Sequence, residues 1–123
     1  MSVIHEFECP RNLYEKLVRD NQRLEKEVNG DNLFTFVSTA VSLQPWIKQS
    51  PLSSSEIMNR LLRKIVRHPY IKLCKDITVA KSVFKLEVFD DKNAEMCIGD
   101  DKYDVNEFRS EIQDLYNNFF KQR

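Results

Sequence analysis

Leu33-Phe34-Thr35-Phe36-Val37-Ser38-Thr39-Ala40-Val41-Ser42-Leu43-Gln44-Pro45-Trp46-Ile47 is the most apolar stretch of the chain and carries no charge over its fifteen residues. It holds the one Trp and two of the eight Phe residues. Phe36, Val37, Ala40, Leu43 and Ile47 recur at helical spacing, and other apolar residues spread onto the remaining faces. That is the pattern of a central helix walled in by others. Pro45 lacks an N–H and crowds the carbonyl of Val41, so a kink or an end is expected in the last turn. Trp46 then stands where the helix leaves the core and is expected to be largely buried, as packing rather than as a ligand platform. The stretch organises a fold but names no chemistry.

On its N-terminal side, Pro10 suits the first turn of a helix. Leu13, Leu17, Leu24 and Val28 follow at spacings of four and seven with charges between them, which predicts a one-faced helix over about residues 10–28. Asn29-Gly30 is expected to stop it in the left-handed conformation, with Asp31 as the next N-cap. Residues 1–9 read as extended, either a short edge strand or a frayed end.

On the C-terminal side, Ser53-x-x-Glu56 is a capping box, with Ser54 and Ser55 offering the same cap in other registers. A third helix is expected from about residue 54 to His68, with Met58, Leu61 and Ile65 on one face and Leu62 flanking. Pro69 breaks it. A shorter fourth helix turns Ile71, Cys74, Ile77 and Ala80 inward. The period then changes to two. Phe84-Lys85-Leu86-Glu87-Val88 and Ala94-Glu95-Met96-Cys97-Ile98 alternate around Asp90-Asp91-Lys92-Asn93 and predict a β-hairpin. Asp104-x-x-Glu107 opens the last helix, whose stripe is Val105, Phe108, Ile112, Leu115 and Phe119.

These elements predict a mainly α single domain, residues 1–123, of five helices with one small antiparallel β-hairpin before the C-terminal helix. The chain's 123 residues suit one core. Two Gly and four Pro argue against a multi-stranded β fold, whose turns consume both. Cys9, Cys74 and Cys97 are odd in number and widely spaced, so free thiols in a reducing compartment are expected. The N-terminus has no basic-then-apolar leader pattern, and the uncharged run is shorter than the ~18–20 residues of a membrane span. A soluble, cytoplasmic protein is the expectation.

Net charge is zero, but it is unevenly spread. Residues 60–85 carry Arg60, Arg63, Lys64, Arg67, Lys72, Lys75, Lys81 and Lys85 against Asp76 alone. Residues 86–114 carry ten acids against Lys92, Lys102 and Arg109. Such blocks attract one another within a fold or between two copies, or stand as unrelated solvated faces.

Only His5 and His68 exist, and no phosphate loop, His-Glu helix metal motif or nucleophile elbow occurs. No cofactor or metal is implied. Arg63-Lys64-Ile65-Val66-Arg67-His68 fits the loose Arg-x4-His pattern of nuclease-type HEPN domains, in which an Arg stabilises phosphate charge while a His moves a proton. His68 at a helix end also has a simple role beside the helix dipole. Arg60, Arg63, Lys64, Arg67 and His68 are therefore the candidate anion or nucleic-acid contacts, although no aromatic residues interleave them for base stacking.

Three segments resemble a family of small bacterial helical proteins. Leu13-Tyr14-x-Lys16-Leu17-x-Arg19 is similar to that family's opening helix. Phe36-Val37-Ser38-Thr39-Ala40 running to Trp46 is similar to its Phe-Phe-Val-Thr-Ala…Trp helix. Lys75-Asp76-Ile77-Thr78…Phe84 resembles its Arg-Asp-Leu-Ala-Asn-Gly-Ala-Lys-His-Phe segment. The resemblance spans roughly residues 10–90 and implies a mainly helical fold without supplying a reaction. Val41-Ser42 stands where the family has Glu-His, and Ser82-Val83 where it has Lys-His. Loss of those histidines argues for a binding or assembly role over an enzyme. The expected function is a non-enzymatic protein acting through protein–protein contact as a homodimer, sealed at the hairpin edge and at Tyr116, Phe119 and Phe120. A nucleic-acid-linked HEPN-like component of a defence or toxin–antitoxin system is the alternative.

Overall fold

The computed structural model describes Ser2 and residues 7–121. In chain order the elements are α1 (Pro10–Lys26), α2 (Gly30–Lys48), a 3-10 turn (Pro51–Ser54), α3 (Glu56–Arg67), α4 (Pro69–Thr78), β1 (Lys85–Val88), β2 (Ala94–Ile98), β3 (Asp101–Asp104) and α5 (Val105–Lys121). The domain is mainly α, with five helices as the hydrophobic periods predict. The N-terminal edge strand falls largely outside the described residues, and residues 7–9 form no strand.

α2 is the centre of the fold. Leu33, Phe36, Val37, Ala40, Leu43 and Ile47 are fully buried against α1 and α4. Burial of each large side chain contributes about 1.5–3 kcal/mol. Pro45 does not end the helix, which continues to Lys48. Pro45 is exposed, so the bond it cannot donate is lost on the solvent-facing side of the helix. The ladder resumes as the Gln49 N–H donates to the Pro45 carbonyl at 3.0 Å. Trp46 is only half-buried. It packs at the margin of the core and lines a groove of about 500 Å³ with Pro10, Pro45 and Pro51.

The link between α1 and α2 departs from expectation. Asn29 is extended and caps α2 itself, its side-chain oxygen accepting from the Asn32 N–H at 2.8 Å. Gly30 is the first residue of α2 and Asp31 lies in its first turn, where a carboxylate suits the dipole. Three residues of extended chain turn the corner without a left-handed residue.

α1 meets α2 through one buried polar knot. Asp20 is 3% exposed, and its Oδ2 accepts from Lys16 Nζ at 2.7 Å and from Thr39 Oγ1 at 2.6 Å. α5 closes the other side, and the fully buried Tyr116 donates its hydroxyl to the Ala40 carbonyl.

In α3 the cap is Ser55, whose Oγ accepts from the Met58 N–H, while Ser53 and Ser54 belong to the preceding 3-10 turn. The buried face is Met58, Leu62 and Ile65, and Leu61 flanks it half-buried, the reverse of the expected pairing. α4 buries Ile71, Cys74 and Ile77. Ala80 does not turn inward. It lies beyond the helix with φ 62°, and the Lys81 N–H donates to the Asp76 carbonyl in a Schellman-type end.

The expected hairpin is the first part of a three-stranded antiparallel sheet in the order β1-β2-β3. The third strand was hidden because Asp101-Lys102-Tyr103-Asp104 has one apolar side chain, too few to show alternation. Asp90 Oδ1 accepts from the N–H groups of Lys92 and Asn93, both at 2.8 Å, and holds the first turn. These bonds, the Asn93 side chain first, keep its carboxyl below the usual range. The Val28 N–H donates to the Asp91 carbonyl and Asn106 Nδ2 to the Lys92 carbonyl, so the turn is tied to the α1–α2 link and to α5.

Candidate functional site

α3 presents its basic residues as the sequence predicts. Arg60, Arg63, Lys64 and Arg67 all lie outside the buried face and are exposed. Arg60 Nη2 lies 3.7 Å from Glu56 Oε1 one turn earlier, a contact of little energetic weight at the surface. Arg63 and Arg67 share a groove of about 200 Å³ with Lys48, Asn59, Leu62 and Val66. Lys48 was missed in the sequence because it belongs to α2. Only the tertiary fold brings the end of α2 beside α3.

His68 is set apart from this face by its bonding. It is the N-cap of α4, where Nδ1 accepts from the Tyr70 N–H at 3.1 Å. Nε2 lies 2.9 Å from Glu111 Oε1 on α5. An accepting Nδ1 requires the proton on Nε2, which donates to Glu111. Both ring nitrogens are thus engaged, and the residue joins three helices as a cap. Tyr70 beside it packs on Phe108 and edge-on to Tyr103. Burial, then the charges of Glu107 and Glu111, push the Tyr70 phenol up. The His68–Glu111 contact is also a direct link between the basic and acidic blocks.

The acidic and aromatic features of the C-terminal half sort differently. Tyr116, Phe119 and Phe120 do not form an exposed cluster. They are buried at home, and Phe120 stacks on Tyr14 with ring centroids 4.3 Å apart. Among the described residues the sheet has no such closure at β1, which bonds to β2 alone, while α5 contacts β2 and β3. Among the described residues nothing pairs with the outer edge of β1. Around it Val83, Val88 and Phe89 are exposed, Val83 at 79%. Phe34 and Val83 also rim a groove of about 250 Å³ with Phe84 and Ile77. Single exposed apolar residues are ordinary, but this group borders an unpaired strand.

The three cysteines are free thiols, Cys9 exposed, Cys97 half-buried and Cys74 buried. Burial pushes the Cys74 thiol well above its ordinary value. Among the described residues no group of three or more His, Cys, Asp or Glu side chains is placed to hold a metal ion. No helix among them is long and apolar enough to cross a membrane. Comparison with family models, curated proteins and solved structures gives no match to this chain.

Proposed function

We propose that the protein works through protein–protein contact, as a homodimer joined at the outer edge of β1. The observation that carries this reading is that, among the described residues, no strand pairs with the outer edge of β1, where Val83, Val88 and Phe89 are exposed. An open edge presents a row of N–H and C=O groups that another strand satisfies. A two-fold pairing meets that demand for both copies with one contact. The engagement of both His68 nitrogens supports a non-enzymatic role, and the three free thiols support a cytoplasmic setting. Sedimentation across a range of concentrations tests the reading. The native chain is expected to reach two-chain mass, and Val88→Lys, which places a charge on the edge, to stay at one-chain mass. A native chain of one-chain mass at every concentration contradicts it and leaves a foreign strand as the partner.

A second reading, contact with nucleic-acid phosphates, is favoured by one observation. Lys48, Arg63 and Arg67 converge on one groove whose lining contains no carboxylate. Salt-dependent retention on a nucleic-acid column, lost in Arg63→Ala with Arg67→Ala, is the expected result under that reading.

A further inference from the structure

The strand pairing fixes more than the existence of an open edge. In an antiparallel ladder, alternate residues send their backbone groups to one neighbour and the intervening residues to the other side. The Phe89 N–H donates to the Asn93 carbonyl at 2.9 Å, which sets the phase of β1 against β2. With the partners Glu87↔Glu95 and Lys85↔Cys97, Phe89, Glu87 and Lys85 bond inward to β2. Leu86 and Val88 therefore direct their N–H and C=O groups outward, and the Phe84 carbonyl, trans to the inward Lys85 N–H, points the same way. The second hairpin gives the same phase independently. Ile98↔Asp101 closes its two-residue turn at Gly99-Asp100, so Met96 and Ile98 bond to β3, leaving Glu95 and Cys97 for β1.

The faces of the sheet follow from the same partners. Leu86, Met96 and Tyr103 lie across from one another on the core side, where Met96 is fully buried. On the solvent side one row is Lys85–Cys97–Lys102 and the next is Glu87–Glu95–Asp104. Three carboxylates in line across three strands repel one another, and like charges directly opposite are destabilising. Among the described residues none of the three has a salt-bridge partner.

We infer that β1 pairs with β1 of a second copy in one register, with Leu86 opposite Leu86 on the two-fold axis. This rests on the reading of β1 as a self-pairing edge and adds its geometry. Leu86 then exchanges both backbone bonds with its counterpart, and the Phe84 carbonyl accepts from the Val88 N–H of the other copy. These are the groups that point outward. Lys85 of each copy falls directly opposite Glu87 of the other, on the solvent face. The row Lys102–Cys97–Lys85 runs on into Glu87–Glu95–Asp104 of the second copy, so each line of acids gains a basic neighbour. Two three-stranded sheets become one of six. Val88, overhanging on the core side, meets Phe84. Sliding the strands by one pleat destroys the match. One direction sets Glu87 against Glu87, and the other sets Lys85 against Lys85. Charge thus selects the register that the backbone phase permits.

Charge reversal tests it. Lys85→Glu sets a second carboxylate opposite Glu87 twice per dimer, and Glu87→Lys sets a second ammonium opposite Lys85 twice. Each variant alone is expected to dimerise at least about tenfold more weakly than the native chain. An equimolar mixture of the two variants is expected to regain two-chain mass, since a Lys85→Glu chain and a Glu87→Lys chain are complementary. The double variant is expected to dimerise like the native chain. Because Glu87→Lys also breaks the acidic row within one chain, its melting temperature as a monomer is expected to rise while its dimer weakens. That separates a contact effect from misfolding. A native dimer that tolerates both reversals overturns this register and leaves the homodimer reading standing. A native monomer at all concentrations defeats the homodimer reading itself.

Discussion

The last turn of α5 and strand β1 both carry apolar side chains to the periphery, and the fold deals with them in opposite ways. Phe119 and Phe120 are closed over by the chain's own helices, Phe120 against Tyr14. Val88 and Phe89 stay 48% and 59% exposed. The difference lies in what each element lacks. A helix satisfies its own backbone, so its apolar stripe needs only side-chain packing, which its neighbours supply. An edge strand instead leaves a row of backbone N–H and C=O groups to water or to another strand, and apolar packing supplies no hydrogen bonds to them. Among the described residues the core closes on itself, whereas the outer edge of β1 has no strand beside it.

The widest separation is expected between truncations of the two regions. Phe119→Ala leaves a cavity in a sealed core and should lower stability by about 3–5 kcal/mol in denaturant melts. Phe89→Ala removes a side chain that is more than half exposed and should cost under ~1 kcal/mol in dilute solution. Equal losses would erase the contrast.

The sealed region also predicts an alkaline signature. Burial pushes the Cys74 thiol up from its ordinary value near 9 and the Tyr116 phenol up from near 10. Folded, both keep their protons after the unfolded chain has released them. Stability contributed by the neutral forms is intact below pH ~9 and falls as pH rises, by up to ~1.4 kcal/mol per pH unit from each group once its unfolded form titrates. Melts from about pH 8 to about pH 10.5 should show this decline, with the earlier part removed by Cys74→Ala. A flat profile would mean that water reaches the core.

Much of this contrast was legible in the sequence, but not all. The helices were readable because Leu13, Leu17 and Leu24, or Phe108, Ile112 and Phe119, repeat their period within one segment. The strand Asp101–Asp104 was not, since only Tyr103 marks its inner face and its formation depends on pairing with β2. The placement of Tyr116, Phe119 and Phe120 also depended on partners remote in sequence, Tyr14 and Ala40. The basic residues of α3 were visible as a face, whereas Lys48 reached that groove only through tertiary packing. His68 looked like a chemical group because its spacing from Arg63 is local, while Glu111, which engages it, lies 43 residues away.

Two smaller effects sharpen the boundary between the regions. Ala80 ends α4 at φ 62°, a conformation costly for a residue with a Cβ, just before the chain enters β1. Ala80→Gly should raise stability by about 0.5–1 kcal/mol, seen as a higher denaturant midpoint. Arg60→Ala with Arg67→Ala, both off the buried face, should change stability by under ~0.5 kcal/mol each. A multi-kcal loss there would show that the α3 face is part of the sealed core.

Amide hydrogen exchange in β1, followed as a function of protein concentration, reads the pairing of the outer edge residue by residue. The N–H groups of Lys85 and Glu87 bond to β2 and should be protected at every concentration. Those of Leu86 and Val88 point outward, so they should exchange quickly in dilute solution and become protected as concentration rises and a second β1 strand arrives. Leu86 and Val88 amides that exchange quickly even where the native chain is dimeric would contradict the account, because the dimer would then be built on some other surface.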